Sequence, residues 1–214
     1  MATPVLYASP GAASLAVHWL FLELGRPLEV QMLELGAGGT RSPGFLAVNP
    51  AGHVPALVVD GVVHTEVAAI LMDVAEREGE RRLAPPPGDP RRSEYLRLMV
   101  WLANQVQPPF RAWYYPAEWA GPDNTALVRA SAEARIDFAW DQLDARLADG
   151  RAHLLGEDLT AADFLATMLM RWSRNLPRPA ATWPNLGRYL ARMRAMPSLI
   201  EAHRREGLTD WIGG

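Results

Sequence analysis

The residues best suited to ligand chemistry are Val54, Pro55 and Glu66. Because proline cannot donate a ladder hydrogen bond, Pro55 must lie at the start or edge of the apolar strand predicted over 56–59. A cis Val54–Pro55 bond would leave the N–H and C=O of Val54 free to pair with an extended, peptide-like ligand. Glu66 opens a predicted helix, whose free N–H groups favour a carboxylate ligand. Backbone pairing beside a carboxylate pocket suits a short acidic peptide.

The residue types that the chain lacks exclude several kinds of chemistry. It has no cysteine, which excludes disulfides, thiolate metal sites and a cysteine nucleophile. Its histidines lack the spacing of metal ligands, so we expect no metal site. A net charge of −3 and a pI of about 6.0 give no electrostatic reason to expect nucleic-acid binding.

Length and hydropathy indicate a globular protein. With 214 residues, 49% of them apolar and 21% charged, the chain has room for two small domains. No apolar run reaches the ~18 residues that a membrane span needs, and residues 1–7 lack the basic and apolar regions of a signal peptide. We therefore expect a cytoplasmic protein that does not bind membranes.

The first part of the chain is predicted to alternate strands and helices. The predicted elements are, in order, a strand over 5–7, a helix over 13–24, a strand over 28–33, a Gly-rich crossing over 36–44, strands over 56–59 and 62–64, and a helix over 66–77. Asp60 and Gly61, between the two later strands, are typical of a two-residue hairpin turn. This order predicts a thioredoxin-like βαβαββα domain over 1–82.

The second part of the chain is predicted to be helical throughout. Residues 83–90 form a linker, because their proline density permits neither helix nor sheet. Helices are predicted over 91–107, 124–147, 164–172 and 184–196. Thr160 and Asp163 have the spacing of a capping box at the start of one of them. The fold class is therefore α/β plus all-α, with an all-helical bundle domain over 91–214.

Four segments, in this order along the chain, resemble segments of the glutathione transferase superfamily, and of its classes the bacterial beta class matches best. They are 6–16, which resembles the opening strand, loop and first helix; 45–57, the cis-proline region; 65–70, the γ-glutamyl loop; and 155–163, the capping box of the helical domain. The resemblance implies a homodimeric detoxification enzyme that uses glutathione as co-substrate against small hydrophobic electrophiles.

The resemblance implies that glutathione is bound by His53, Val54, Pro55, Glu66 and Val67. Val54 would pair through its backbone, the Glu66 carboxylate would pair with the ligand's α-ammonium group, and His53 would reach the glycyl carboxylate. Many classes have serine after the acid, where this chain has Val67. Loss of that hydroxyl removes one side-chain hydrogen bond, worth about 1 kcal/mol. Because the Val67 N–H remains, we expect weakened binding rather than none.

The chain departs from the beta class at the positions of its thiol–disulfide chemistry. Ala13 stands where that class has cysteine, and Gln107 and Pro108 stand where it has a His-Lys pair. A mixed disulfide with glutathione is therefore impossible. A free thiol, with a pKa near ~8.5, is ionised to only about 3% at pH 7. Another group must then stabilise the thiolate.

Three hydroxyl groups near the N-terminus are candidates for that group: Ser14 first, Ser9 second and Tyr7 third. A hydroxyl hydrogen bond and the dipole of the first helix together come close to the ~2.7 kcal/mol that lowers a thiol pKa by ~2 units. Each residue also has a purely structural interpretation. Ser14 could cap the helix, Ser9 could form the turn before Pro10, and Tyr7 could pack at the end of its strand.

The electrophile pocket is expected between the two domains, with Gln107, Phe110, Arg111 and Tyr114 on its helical side. The aromatic faces in this segment suit a hydrophobic substrate. The alternative for these residues is packing in the core or in the dimer interface.

Two other functions remain open. One is a glutathione-dependent isomerase, lyase or dehalogenase, in which the thiolate adds and later leaves. The other is a non-catalytic binding or regulatory protein on the same scaffold, like the stringent-starvation-type relatives that bind RNA polymerase. The missing cysteine and Val67 favour this last alternative, whereas Glu66 and the Val54–Pro55 pair oppose it.

Overall fold

The computed structural model describes residues 2–77 and 83–212. The chain divides into two compact units, Met1–Arg82 together with Arg194–Gly214, and Leu83–Met193. The predicted domain boundary at residue 82 lies outside the described residues. The predicted helical region 91–214 is shared between the units, because the chain from Arg194 onward belongs to the first unit.

The described residues contain both strands and α-helices. In chain order these are β1 Val5–Ala8, α1 Ser14–Glu23, β2 Glu29–Met32, α2 Pro43–Val48, β3 Ala56–Val59, β4 Val62–Thr65, α3 Val67–Arg77, α4 Arg92–Trp101, α5 Gln107–Tyr114, α6 Ala117–Ala120, α7 Thr125–Arg146, α8 Ala161–Trp172, α9 Pro184–Arg194 and α10 Pro197–Arg205. Within the described ranges, no helix is long and apolar enough to cross a membrane.

A four-stranded sheet in the order β2-β1-β3-β4 is the centre of the first unit. β1 runs parallel to β2, with Leu6 opposite Val30, and antiparallel to β3, with Leu6 opposite Leu57. β3 and β4 form an antiparallel hairpin that turns at Asp60 and Gly61. These elements confirm the predicted fold class, a thioredoxin-like α/β region followed by helices.

The Gly-rich crossing between β2 and β3 ends in the short helix α2. The Ser42 hydroxyl accepts a hydrogen bond from the Phe45 N–H at 3.3 Å and so caps the helix, while Pro43 occupies its first position. Phe45 is buried. A cap, a proline and one apolar anchor thus order the end of a segment whose glycines do not favour helix.

The core of the first unit lies between the sheet and helices α1 and α3. Leu6 and Leu57 from the sheet and Trp19 from α1 are almost completely buried. Helix α10 packs against α1, where the Trp19 Nε1–H donates to the Ser198 hydroxyl at 2.9 Å. That hydroxyl in turn donates to the Glu23 carboxylate at 2.6 Å. The final helix therefore completes this unit.

The predicted capping box is confirmed at the start of α8 in the second unit. The N–H and hydroxyl of Thr160 donate to Asp163 Oδ2 at 2.9 and 3.0 Å. The Leu154 N–H and the Tyr189 hydroxyl donate to Asp163 Oδ1 at 2.8 and 2.9 Å. Burial raises the pKa of the Asp163 carboxyl, and the hydrogen bonds from Leu154 and Thr160 oppose that change.

The helix predicted over 91–107 does not end in a loop. A π-helical segment, Leu102–Val106, joins α4 directly to α5. Pro108 and Pro109 lie in the first turn of α5 and have no N–H to donate to the preceding turn, whose last π-type bond runs from the Gln107 N–H to the Leu102 C=O. The helical path therefore continues through the two prolines, with a change of helix type over Leu102–Val106 just before them.

Candidate active site

The sheet register brings three of the predicted segments to one edge. Tyr7 in β1 lies opposite Ala56 in β3, and Ala56 lies opposite Thr65 in β4. The end of β1, the residues before β3 and the residue after β4 therefore share this edge of the sheet. Val54 lies two residues before Ala56, and Glu66 directly follows Thr65, so both lie at this edge of the sheet.

Val54 offers unpaired backbone groups to a ligand. The Val54–Pro55 bond is cis, and Pro55 is buried directly ahead of β3. Neither the N–H nor the C=O of Val54 forms a hydrogen bond with another described residue. Both groups are therefore available to an extended ligand that pairs with the sheet edge.

Asn49 holds the loop that leads to Val54, although its sequence position did not point to a role. Its Nδ2 donates to the His53 C=O at 2.7 Å, and its Oδ1 accepts from the Ala51 N–H at 3.2 Å. Asn49 is buried, whereas His53 is exposed. The available signal was the tendency of asparagine to bond the backbone two residues ahead in a turn.

Glu66 has a left-handed backbone, with a φ of 66°. This conformation is uncommon for a residue with a side chain and costs about 1–3 kcal/mol. The Glu66 C=O accepts from the Ile70 N–H at 2.9 Å, so Glu66 directly precedes α3 instead of lying within it. Its side chain is exposed, whereas that of Val67 is buried.

The first turn of α3 presents open N–H groups next to the Glu66 carboxylate. The N–H groups of residues 67–69 have no acceptor among the described residues. The positive end of the helix dipole adds to their attraction for an anion. An exposed carboxylate beside open amides can hold a ligand group that carries both an ammonium and a carboxylate.

Ser14 is fully buried at the first position of α1. Its hydroxyl accepts from the Ser9 N–H at 3.1 Å and donates to the Ser9 C=O at 3.2 Å. The N-cap of α1 is Ala13, which makes no side-chain hydrogen bond. The Ser14 hydroxyl therefore joins the helix to the loop after β1.

The hydroxyls of Ser9 and Tyr7 form no hydrogen bond with another described residue. Ser9 is 3% exposed and lies in the loop between β1 and α1. Tyr7 is half-buried, and its ring centroid lies 5.4 Å from that of Phe45 at a tilt of 45°. Both residues lie near the edge of the sheet that carries Val54.

The first turn of α1 also contains backbone N–H groups without a hydrogen-bond acceptor in the part of the chain that the structure describes. The Ala12 N–H donates to the Ser9 C=O at 3.0 Å, whereas the N–H groups of Ala13 and Ser14 have no acceptor among the described residues. Ser14 is fully buried, so a sulfur anion near this turn would meet the N–H of Ala13, which is 7% exposed, and the positive end of the α1 dipole.

Glu206 reaches this turn from the end of the chain. Its Oε2 accepts from the Gly11 N–H at 2.8 Å, and its Oε1 lies 3.0 Å from His18 Nδ1. Gly11 has a φ of 67°, which glycine adopts without steric cost. No local pattern could have indicated this contact, because Gly11 and Glu206 are 195 residues apart.

Two of the residues predicted for the electrophile pocket differ in exposure, and both lie in the second unit. Phe110 is fully buried, and its ring centroid lies 6.0 Å from that of Trp140 and 5.8 Å from that of Trp172. Tyr114 is 36% exposed, with its ring partly covered, and its hydroxyl donates to the Trp172 C=O at 2.8 Å. Partial burial raises the pKa of the Tyr114 phenol.

Gln107 and Arg111, the other two, belong to the same helix, α5. Gln107 is half-buried at its first position. Arg111 is exposed, forms an ion pair with Glu118 at 2.7 Å and lies 5.4 Å from the centre of the Tyr115 ring. The exposed side chains of α5 are therefore polar or amphipathic.

Metal-ligating side chains and clefts elsewhere in the structure are further kinds of place where a ligand could bind. Within the described part of the chain, no group of three or more His, Asp or Glu side chains could hold a metal ion. The first unit has a cleft of about 600 Å³ at the C-terminal end of α1, lined among others by His18, Arg26 and Arg205. This cleft contains none of the residues predicted to bind glutathione or its thiol.

Comparisons with known proteins cover both units. Residues 12–77 match the model of the glutathione S-transferase N-terminal domain, and residues 112–197 match that of the C-terminal domain. The glutathione S-transferase GST-4.5 of Xanthomonas campestris pv. campestris is 30% identical over 206 residues, which are 95% of this chain and 98% of that protein.

Solved structures agree with this result. The bacterial beta-class glutathione S-transferase of Sphingomonas chungbukensis is 30% identical, with a TM-score of 0.84 over 96% of this chain and 100% of that one. A sphingomonad glutathione S-transferase complexed with glutathione is 31% identical, with the same TM-score of 0.84 over 96% and 100% of the two chains. The resemblance to bacterial beta-class proteins is thereby confirmed, for a chain without cysteine. This chain belongs to the glutathione S-transferase family.

Proposed function

We propose that this chain is a glutathione transferase that activates the glutathione thiol for attack on small hydrophobic electrophiles. The observation that carries the proposal is the pairing of Ala56 with Thr65, which brings the open backbone groups of Val54 to the same sheet edge as Glu66. In this proposal, domain 1–82 binds glutathione and helical domain 91–214 supplies the contacts to the electrophile.

Each part of glutathione has a suitable partner at this edge. The Val54 N–H and C=O pair with the backbone of the cysteinyl residue, and the buried Pro55 holds the start of β3 beneath them. The Glu66 carboxylate pairs with the α-ammonium group, and the Val67 N–H binds the α-carboxylate. The exposed His53 binds the glycyl carboxylate. A peptide with charged groups at both ends suits this arrangement.

The thiolate is stabilised by the first turn of α1 and by a hydroxyl group. Ser14 is poorly suited to donate directly, because its one proton is already donated to the Ser9 C=O. The hydroxyls of Ser9 and Tyr7 donate no hydrogen bond to another described residue. We assign the donor role to Ser9, which lies in the loop that leads to the open amides of α1, with Tyr7 as the competing candidate.

The electrophile is contacted by the exposed side chains of α5. Tyr114 and Arg111 present an aromatic face and a cation, and Gln107 presents an amide. Phe110 supports this surface from the core, because it is fully buried against Trp140 and Trp172. A hydrophobic substrate with a polar or electron-poor group suits these side chains.

We also infer a homodimer. Leu96 and Val100, which are one turn apart on the same face of α4, are both exposed. Adjacent exposed apolar side chains are typical of surfaces that a partner covers. Sedimentation at several protein concentrations tests this inference, which a monomer at all of them would contradict.

A non-catalytic glutathione-binding or regulatory protein is the second candidate function. The observation that favours it is the buried Ser14 pair, which leaves the hydroxyl nearest the position of the missing cysteine without a proton to donate. An isomerase, lyase or dehalogenase would use the same thiolate, so product analysis must separate it from a transferase.

Isothermal titration with glutathione tests the proposal directly. We expect dissociation constants between about 1 µM and about 1 mM for the unaltered chain. Glu66→Ala should abolish measurable binding, because it removes the partner of the α-ammonium group. Glu29→Ala, which removes an exposed glutamate of β2 in the same unit, is the matched control and should bind normally.

The absence of binding up to about 10 mM glutathione would contradict both enzymatic functions. Binding without turnover of a panel of electrophiles would favour the non-catalytic function.

A further inference from the structure

The buried Glu206 carboxylate is paired through both of its oxygens near the first turn of α1. Its side chain has 0% exposure, and that of its partner His18 has 3%. One carboxylate oxygen accepts the Gly11 N–H at 2.8 Å, and the other contacts His18 Nδ1 at 3.0 Å. A buried carboxylate is tolerated only when its oxygens are bonded in this way. The C-terminal segment is thereby tied to the turn.

The turn has a second anchor at its other end. The Ser14 hydroxyl bonds both the N–H and the C=O of Ser9. Between these anchors the chain runs through Gly11 in a left-handed conformation and then enters α1. The open amides of Ala13 and Ser14 follow immediately. The direction of those amides therefore depends on how the turn is held.

We propose that Glu206 is a positioning residue for the thiol site. By holding the Gly11 N–H, it fixes the turn of residues 9–13 and with it the N-terminal end of α1, where this scheme places the glutathione sulfur. The inference rests on the proposed function, since it assigns the sulfur to this turn. Glu206 touches neither glutathione nor electrophile in this scheme, and its effect passes through the Gly11 backbone.

The chain provides a matched control for loss of contact between α1 and the C-terminal helix. Ser198 joins the same two elements by accepting from Trp19 Nε1 at 2.9 Å and donating to Glu23 at 2.6 Å. This contact lies toward the other end of α1 and does not touch the turn. Ser198→Ala therefore weakens the same packing without releasing Gly11.

The first test compares steady-state kinetics of glutathione with chlorodinitrobenzene as the electrophile. Glu206→Ala should lower kcat by about tenfold or more and leave the KM for glutathione within about twofold, because Val54 and Glu66 still bind the peptide. Glu206→Gln should restore most of kcat, since its amide oxygen can still accept from the Gly11 N–H while its NH₂ group lies against His18 Nδ1. Ser198→Ala should leave both constants within about twofold.

The second test does not require glutathione. Amide hydrogen exchange at Gly11 should be slow in the unaltered chain and in Ser198→Ala, and at least about tenfold faster in Glu206→Ala. Unchanged Gly11 exchange in Glu206→Ala would overturn the proposal, as would equal losses of kcat in Glu206→Ala and Ser198→Ala. If the unaltered chain does not bind glutathione, the proposed function fails, and exchange at Gly11 still decides whether Glu206 holds the turn.

Discussion

The Ser14 hydroxyl and the Ser9 backbone form a closed pair at the start of α1. The hydroxyl accepts from the Ser9 N–H at 3.1 Å and donates to the Ser9 C=O at 3.2 Å, and Ser14 is fully buried. Because a hydroxyl has one proton, Ser14 cannot donate to a sulfur anion unless this pair breaks. Its effect on the site therefore passes through the conformation of the loop.

Ser14→Ala should lower the free energy of unfolding by about 1–3 kcal/mol, because it leaves the buried Ser9 N–H without an acceptor. Urea denaturation measures the change. Ser93→Ala, at an exposed position, is the control and should change stability by less than about 0.5 kcal/mol. Equal stability of the unaltered chain and Ser14→Ala would show that the pair contributes nothing.

Ser9→Ala should raise the pKa of the bound glutathione thiol by about 1 unit or more, equivalent to ~1.4 kcal/mol. The reason is that it removes the one loop hydroxyl without a described partner next to the open amides. Thiolate absorbance at increasing pH measures the shift. Tyr7→Phe serves as the comparison, and a shift in that variant alone would assign the role to Tyr7.

Glu66→Gly should stabilise the fold and, like Glu66→Ala, abolish measurable glutathione binding. Glycine adopts a φ of 66° without steric cost, so we expect a gain of up to about 1 kcal/mol, reduced by the greater freedom of the unfolded chain. Asp60→Gly is a matched control, because Asp60 is also left-handed, with a φ of 47°, and lies in the hairpin turn.

Thermal unfolding and glutathione titration should be measured for both variants. Stabilisation by both, with loss of affinity only in Glu66→Gly, is the expected result. Retained affinity in Glu66→Gly would show that the carboxylate does not bind glutathione.

The Glu94 carboxylate makes the second unit sensitive to acid. A hydrogen bond from Arg97 at 2.7 Å, together with the nearby Arg146, lowers the pKa of Glu94 from its usual 4.5 to about 2. A lowered pKa in the folded state means that its stabilisation is present above pH 4.5 and is lost as the pH falls toward about 2. Because these side chains are partly exposed, we expect no more than about 1 kcal/mol.

Glu94→Gln should remove that part of the acid sensitivity. Urea denaturation at about pH 6 and about pH 3 should show a smaller loss of stability in this variant than in the unaltered chain. Glu29→Gln, which changes an exposed strand residue of the first unit, should retain the original pH dependence. Identical pH dependence of stability in all three proteins would show that Glu94 is not a source of the acid sensitivity.

Features governed by local backbone chemistry could be predicted from the sequence. Proline cannot enter the β3 ladder, so Pro55 had to lie ahead of that strand, and it does. Thr160 and Asp163 formed the expected capping box, because the partners of a cap are only three residues apart. The hairpin at Asp60 and Gly61 has the same local origin.

Features that depend on which side chains are buried together required the tertiary structure. From the sequence both the Ser14 and the Ser9 hydroxyl were candidates to stabilise the thiolate, and only the tertiary structure shows that the Ser14 proton is donated to the Ser9 C=O. The contact of Glu206 with Gly11 joins residues 195 positions apart, and no periodicity or propensity spans that distance.

The family and the sheet edge that presents Val54 and Glu66 were thus determined by the sequence itself, through turn, strand and cap preferences that act over a few residues. Which hydroxyl is left with a proton to donate, and which carboxylate holds the turn, was decided only when distant segments packed together. Burial makes every unpaired polar group costly, so the partners of buried groups are chosen by the whole fold.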